Sequence, residues 1–181
     1  MAFDFQIRQA AAADVPDLAR VAQRTFPLAC PSTTPAADIQ QHISNELNER
    51  AFLAHMDSPV TEFHVAVAGD GQIIGYLMLV ATAAGAPNLP GTQPLEVRRI
   101  YVDEVWQGQG VGAALMDLAL TRARSQQLDC LWLGTNQENH NAVAFYRQLG
   151  YEHVGTRTFQ VGCSVECDFV LARSLSSATN Q

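Results

Sequence analysis

The sequence predicts a mixed α/β fold, about seven strands in one mixed sheet flanked by about four helices. Three observations predict it: strand-length apolar runs alternate with amphipathic helical stretches, two of those runs are joined by a hairpin turn, and others are separated by crossover-length helices. A hairpin pairs its strands antiparallel and a crossover helix pairs them parallel, so the sheet is of neither pure kind. With 181 residues, 48% hydrophobic and 16% charged, the chain suits a single domain over residues 1–173. The tail, 174–181, reads as disordered.

Residues 5–8 open as a strand. Asp14 is an N-cap candidate, with Pro16 in the first turn of a helix whose Leu18, Val21, Ala22 and Thr25 share one face and which should end before Pro27. Residues 36–56 form a second helical region with Ile39, Ile43 and Leu47 at fourfold spacing and a break in the middle. Strands 63–68 and 73–80 flank Gly69-Asp70-Gly71, a hairpin signal because both turn residues tolerate positive φ. Residues 84–94 carry three prolines and two glycines and read as a surface loop. Residues 95–102 (LEVRRIYV) are a strand, and a turn-rich stretch leads from them into a helix with Val111, Ala114, Leu115, Leu118 and Ala119 on one stripe. Residues 130–133 are a short strand, 139–149 a helix closed by Gly150, and 151–158 and 168–172 the last strands.

Charge excludes several functions. Eleven basic residues stand against eighteen acidic ones for a net charge of -7, and all eleven are arginines. Without lysine there is no phosphate-loop lysine and no lysine nucleophile. Scattered arginines in an acidic chain argue against nucleic acid and favour a cationic small partner. Cys30, Cys130, Cys163 and Cys167 are too irregularly spaced for a disulfide framework or a zinc site, so no metal is expected. The start has no basic region ahead of an apolar one, and 73–86 is too short to span a bilayer, which reads as a cytoplasmic protein without a membrane partner.

Gln107-Gly108-Gln109-Gly110-Val111-Gly112-Ala113 places three glycines where a helix begins. Such a start leaves backbone N–H groups unpaired at the positive end of the helix dipole, an anion cradle that needs no basic side chain and suits pyrophosphate. An ordinary glycine-rich turn is the plain alternative. The run also satisfies G-x-G-x-x-A, but Asp129, the candidate ribose ligand of a dinucleotide fold, precedes its strand instead of ending it.

With these residues in place the sequence resembles the GNAT superfamily of acetyl-CoA-dependent N-acetyltransferases. Gln107-x-x-Gly110-x-Gly112 matches its [QR]-x-x-G-x-[GA] signature after a strand. Asn139-x-x-Ala142-x-x-Phe145-Tyr146-x-x-x-Gly150-Tyr151 is similar to its second block, at the expected interval. The resemblance covers residues 63–171, and LEVRRIYV together with FQVGCSVECDFVLARSL is similar to the PaiA-like polyamine acetyltransferase branch.

The resemblance implies acetyl-CoA between splayed strands 95–102 and 130–133. Its pantetheine would pair with the backbone of Ile100, Tyr101 and Val102, and its pyrophosphate would take N–H groups from Gln107 to Ala113. Asn139 either holds the pantetheine arm or caps its helix. An alkylammonium has a pKa of about 10.4 and must lose a proton before attack. Glu96 is therefore a candidate base or acceptor ligand, or else it pairs with Arg98 or Arg99. Tyr146 is the candidate acid at the sulfur, against the plain reading of a packed tyrosine. No cysteine motif suggests an acyl-enzyme, so attack is direct in a ternary complex. The acceptor expected from charge and branch is a small polyamine-like amine, with Asp38, Glu46 or Glu49 as its acidic partners. A protein N-terminus or lysine, and a non-catalytic acyl-CoA sensor, are the alternatives. By analogy with many relatives the chain would form a homodimer.

Overall fold

The computed structural model describes residues 4–81 and 86–175. Seven strands form one sheet in the order β1-β2-β3-β4-β5-β7-β6. They are β1 (Phe5–Gln9), β2 (Thr61–Ala68), β3 (Ile73–Ala81), β4 (Pro94–Val102), β5 (Cys130–Asn136), β6 (Glu152–Val161) and β7 (Ser164–Ser174). Only β4 and β5 run parallel among the described residues. Five helices cover the sheet: α1 (Val15–Ala29), α2 (Ala36–Glu46), α3 (Glu49–Met56), α4 (Val111–Ser125) and α5 (His140–Gln148). The expected break in 36–56 falls at Leu47 and Asn48, where the Asn48 side chain accepts the Ala51 N–H at 2.9 Å and starts α3 afresh.

Two apolar layers sandwich the sheet. On one face α1, α2 and α3 bury Leu18, Val21, Phe26, Leu47 and Phe52 against Val65, Tyr76 and Met78. On the other, Leu115, Ala119 and Tyr146 of α4 and α5 pack on Leu77, Val97 and Leu131. β3 is buried from Ile73 through Val80, as a central strand covered on both faces must be. The β2–β3 turn uses positive φ at Gly71 (φ +90), while the Asp70 carboxylate accepts the Gln72 N–H at 3.0 Å.

Three local expectations are corrected. α1 runs past Pro27 to Ala29, because a proline in the last turn forfeits one hydrogen bond where the helix is already ending. Asp14 does not cap α1. Its carboxylate turns back to the Ala11 N–H at 2.8 Å and to Arg8 at 2.7 Å, closing a 3-10 turn over Ala12–Asp14. The last two strands are longer than expected, with Ser174 ending β7, while 176–181 of the expected tail and 84–85 of the expected loop lie outside the described residues.

Candidate active site

The sheet splits between its two parallel strands. β4 pairs with β5 only at Pro94↔Cys130, Leu95↔Leu131 and Glu96↔Trp132. Beyond that point β5 stays with β7 as far as Asn136↔Asp168, and β4 stays with β3 as far as Val102↔Gly75. The diverging halves, Val97–Val102 and Leu133–Asn136, line a cavity of about 680 Å³. Backbone groups that would have met across the two strands are thereby turned to the cavity, where an extended chain can take the place of a strand.

The glycine loop closes one end. Gly108 (φ +74) and Gly110 (φ +86) sit in the left-handed region, and a Cβ built on either meets nothing within 4 Å, so open space lies against the backbone. The first bond of α4 runs from the Ala114 N–H to the Gly110 carbonyl, leaving the N–H groups of Val111, Gly112 and Ala113 ahead of the helical ladder. Gln107 donates to the Val102 carbonyl at 3.1 Å, which ties the loop to the end of β4.

Of the residues expected to hold the cofactor, Ile100, Tyr101, Val102, Gln107, Gly108, Gly110, Gly112, Ala113, Asn139 and Tyr146 line the cavity. Gln109 and Val111 do not line it. The Gln109 side chain folds back on the Val105 carbonyl at 2.7 Å, and Val111 is packed into the core, so each has only its backbone to offer. Asn139 caps α5, its side chain accepting the Ala142 N–H at 3.2 Å, and it also lines the cavity. Tyr146 reaches the cavity from α5 with its ring against Phe145 and Tyr151, and burial raises its phenol well above the ordinary tyrosine value.

Glu96 is placed differently from the expected base. It is 2% exposed and absent from the cavity wall, its carboxylate engaged by Arg98 (2.5 Å) and by Arg157 (3.3 Å), not by Arg99. The carboxylates on the wall are Asp168 and Glu166 of β7, which sequence reasoning did not single out. Asp168 stands opposite Arg157 in the β6–β7 register and 3.4 Å from its Nε. Burial raises its pKa above the ordinary carboxylate value, and Arg157 only partly opposes this. The signal in the sequence was the alternation Arg157, Phe159, Val161 with Glu166, Asp168, all on one face of the last hairpin.

The other end of the cavity is roofed by the end of α1 and the segment after it, including Phe26, Ala29, Cys30 and Pro31. This roof is pinned to the last hairpin. Thr34 donates to Glu166 at 2.7 Å, and Asp38 accepts the Cys163 N–H at 3.1 Å and the Ser164 hydroxyl at 2.5 Å. Asp38 is thus engaged outside the cavity, and neither Glu46 nor Glu49 lines it, so the three acidic partners expected for a cationic acceptor are not on the wall. Burial holds the Cys30 thiol up at about 11, an inert state at neutral pH.

The acetyltransferase (GNAT) family model matches residues 18–151. The chain belongs to the GNAT family. It is 35% identical over 162 residues to an uncharacterised N-acetyltransferase of Mycobacterium tuberculosis, covering 90% of this chain and 98% of that protein. It is 26% identical to another of Lactobacillus delbrueckii subsp. lactis, covering 94% and 97%. Among solved structures, the PaiA N-acetyltransferase of Thermoplasma acidophilum in complex with coenzyme A superposes with a TM-score of 0.75 at 17% identity, over 94% of this chain and 99% of that one. The ribosomal-protein-S18-alanine N-acetyltransferase of Escherichia coli gives 0.69 at 18%, over 98% of both. This GNAT protein is an N-acetyltransferase. Among its described residues no helix is long and apolar enough to cross a membrane.

Proposed function

We propose that the enzyme transfers an acetyl group from acetyl-CoA to the primary amine of a small molecule, by direct attack with both substrates bound. The observation that carries this reading is the continuity of the split between β4 and β5 with the glycine loop: one cavity offers unpaired strand backbone, free helix N–H groups and a buried phenol in sequence. Bound there, acetyl-CoA supplies a thioester carbonyl open to attack. Pyrophosphate would be held by the loop from Gly108 to Ala113, and the pantetheine arm by the backbone of Ile100 to Val102 and by Asn139.

In this reading Asp168 accepts the proton that the ammonium must lose, being a cavity carboxylate with a raised pKa. A C–N bond replaces the C–S bond, and the Tyr146 hydroxyl returns a proton to the departing thiolate. One proton is released overall. Backbone N–H groups of the opened β4 edge are the donors for the developing oxyanion. Glu96 acts at one remove, holding Arg157 and Arg98 in place.

The hydrogen bonds of Thr34 and Asp38 to the last hairpin hold the segment after α1 against the cavity wall, which favours a small acceptor over a protein chain. What favours a polyamine among small amines is the likeness to the PaiA enzyme. The test is thiol release from acetyl-CoA by the purified protein with spermidine, free amino acids and short peptides, beside calorimetry of acetyl-CoA alone. Amine-dependent release with small amines is expected. Release with peptides only would reassign the acceptor, and absence of acetyl-CoA binding would remove the reading.

A further inference from the structure

We infer that the acceptor carries a carboxylate close to its amine, and that Arg99 is the residue that selects it. The inference rests on the acetyl-transfer reading above and narrows its acceptor.

β4 carries a bulge opposite β3. Met78 of β3 pairs with Arg99, but Leu79 pairs with Val97, so Arg98 is an extra residue in β4. A bulge of this kind turns two successive side chains to the same side of the sheet. Leu95 and Val97 before it, and Ile100 and Val102 after it, pack on the α4 face, while Arg99 lies over the Phe52 ring on the opposite face, 5.7 Å from its centroid. Three arginines line the cavity, Arg98, Arg99 and Arg157. Arg98 is bound to Glu96, and Arg157 to Glu96 and Asp168. Arg99 alone of the three has no ion pair among the described residues, and its Nη1 is buried without a hydrogen-bond partner.

A buried guanidinium donor left unpaired is costly, and a planar fork is best satisfied by a carboxylate. The charge of Arg99 is felt around it. After burial, it is the next cause holding His42 and His55 below the ordinary histidine value. Arg99 and Asp168 both line this cavity, which gives its wall a cation and a carboxylate together. With Glu166 and Asp168 against three arginines, the wall does not have the acidic excess a polycation needs. It offers an unpaired cation beside a carboxylate, the complement of an amino-acid-like zwitterion whose amine approaches Asp168 while its acid group meets Arg99.

The experiment uses the full chain, with the free amino acids, β-alanine and γ-aminobutyrate each paired with its amide, and spermidine alongside. Transfer to at least one carboxylate-bearing amine, with kcat/KM about 10- to 100-fold above that of its amide, is expected. Arg99→Gln should erase that preference and leave acetyl-CoA affinity unchanged. Arg99→Lys, which keeps a cation over Phe52 but not the fork, should restore part of it. Equal losses on acid and amide in Arg99→Gln, or transfer to spermidine or peptides with none to the carboxylate-bearing amines, would overturn the inference while leaving the acetyl-transfer reading intact. Loss of acetyl-CoA binding in the wild-type protein would instead overturn that reading and the inference with it.

Discussion

Arg157 bridges two carboxylates on different strands: its Nη1 stands 3.3 Å from Glu96 on β4, and its Nε 3.4 Å from Asp168 on β7. It spans the sheet where β4 and β5 part, lying over Gly134, where a Cβ would fall 2.3 Å from its Nη2. Arg157→Met leaves a buried carboxylate uncompensated and should cost about 3 kcal/mol in urea unfolding. The deficit should depend on pH. Asp168 already has a raised pKa, so its favourable contribution is complete below the unfolded value and lost as pH rises through the folded one. Removing Arg157 raises that pKa further, and the variant should therefore be least impaired in acid and most impaired at neutral pH.

Asp168 should set the acid limb of activity. A base must be ionised, and burial, opposed by Arg157, raises this carboxyl above the ordinary value. The limb of kcat/KM should accordingly lie above the ordinary aspartate value. Asp168→Asn should remove that limb and lower kcat by about 100-fold. An unaltered pH profile would assign the proton to another group.

Tyr146→Phe deletes one hydroxyl from a buried ring and leaves its packing on Phe145 and Tyr151. Turnover should fall by about 100-fold, with acetyl-CoA affinity close to wild type in calorimetry. Because burial raises the phenol's pKa, it stays protonated across the neutral range, and no basic limb from this residue should appear below pH about 10. An unchanged kcat would leave Tyr146 a packing residue.

Gly110 combines a left-handed backbone with open space in front of it. Gly110→Asp adds about 1 kcal/mol of backbone strain and sets an anion in the cradle. Acetyl-CoA affinity should drop at least tenfold, roughly 1.4 kcal/mol. Wild-type affinity in this variant would mean that the pyrophosphate lies elsewhere.

The elements were legible wherever the cause was local. The apolar stripe of α1, the hairpin at Gly71 and the glycines ahead of α4 are written in spacing and in residues that tolerate positive φ, and each is found where spacing put it. Asp14 and Pro27 were misread because a helix end is decided by competing neighbours: Arg8 took the Asp14 carboxylate, and the last turn tolerated the proline. Glu96 kept its alternatives open for a related reason, and the pairing with Arg98 is the one the structure shows. A charged residue in an apolar strand announces that something must neutralise it, but not whether that is a substrate or an arginine 61 residues away.

The sequence by itself determined the fold class and the glycine-rich start of α4, since turn chemistry and periodicity act over a few residues, while Tyr146 was singled out only by the family resemblance, against its plain reading as a packed tyrosine. Only the tertiary structure decided which carboxylate faces the cavity and which arginine is left unpaired. Those depend on a bulge at Arg98 and on strands β4, β6 and β7 meeting on one face, and pairing between distant strands leaves no mark in local pattern.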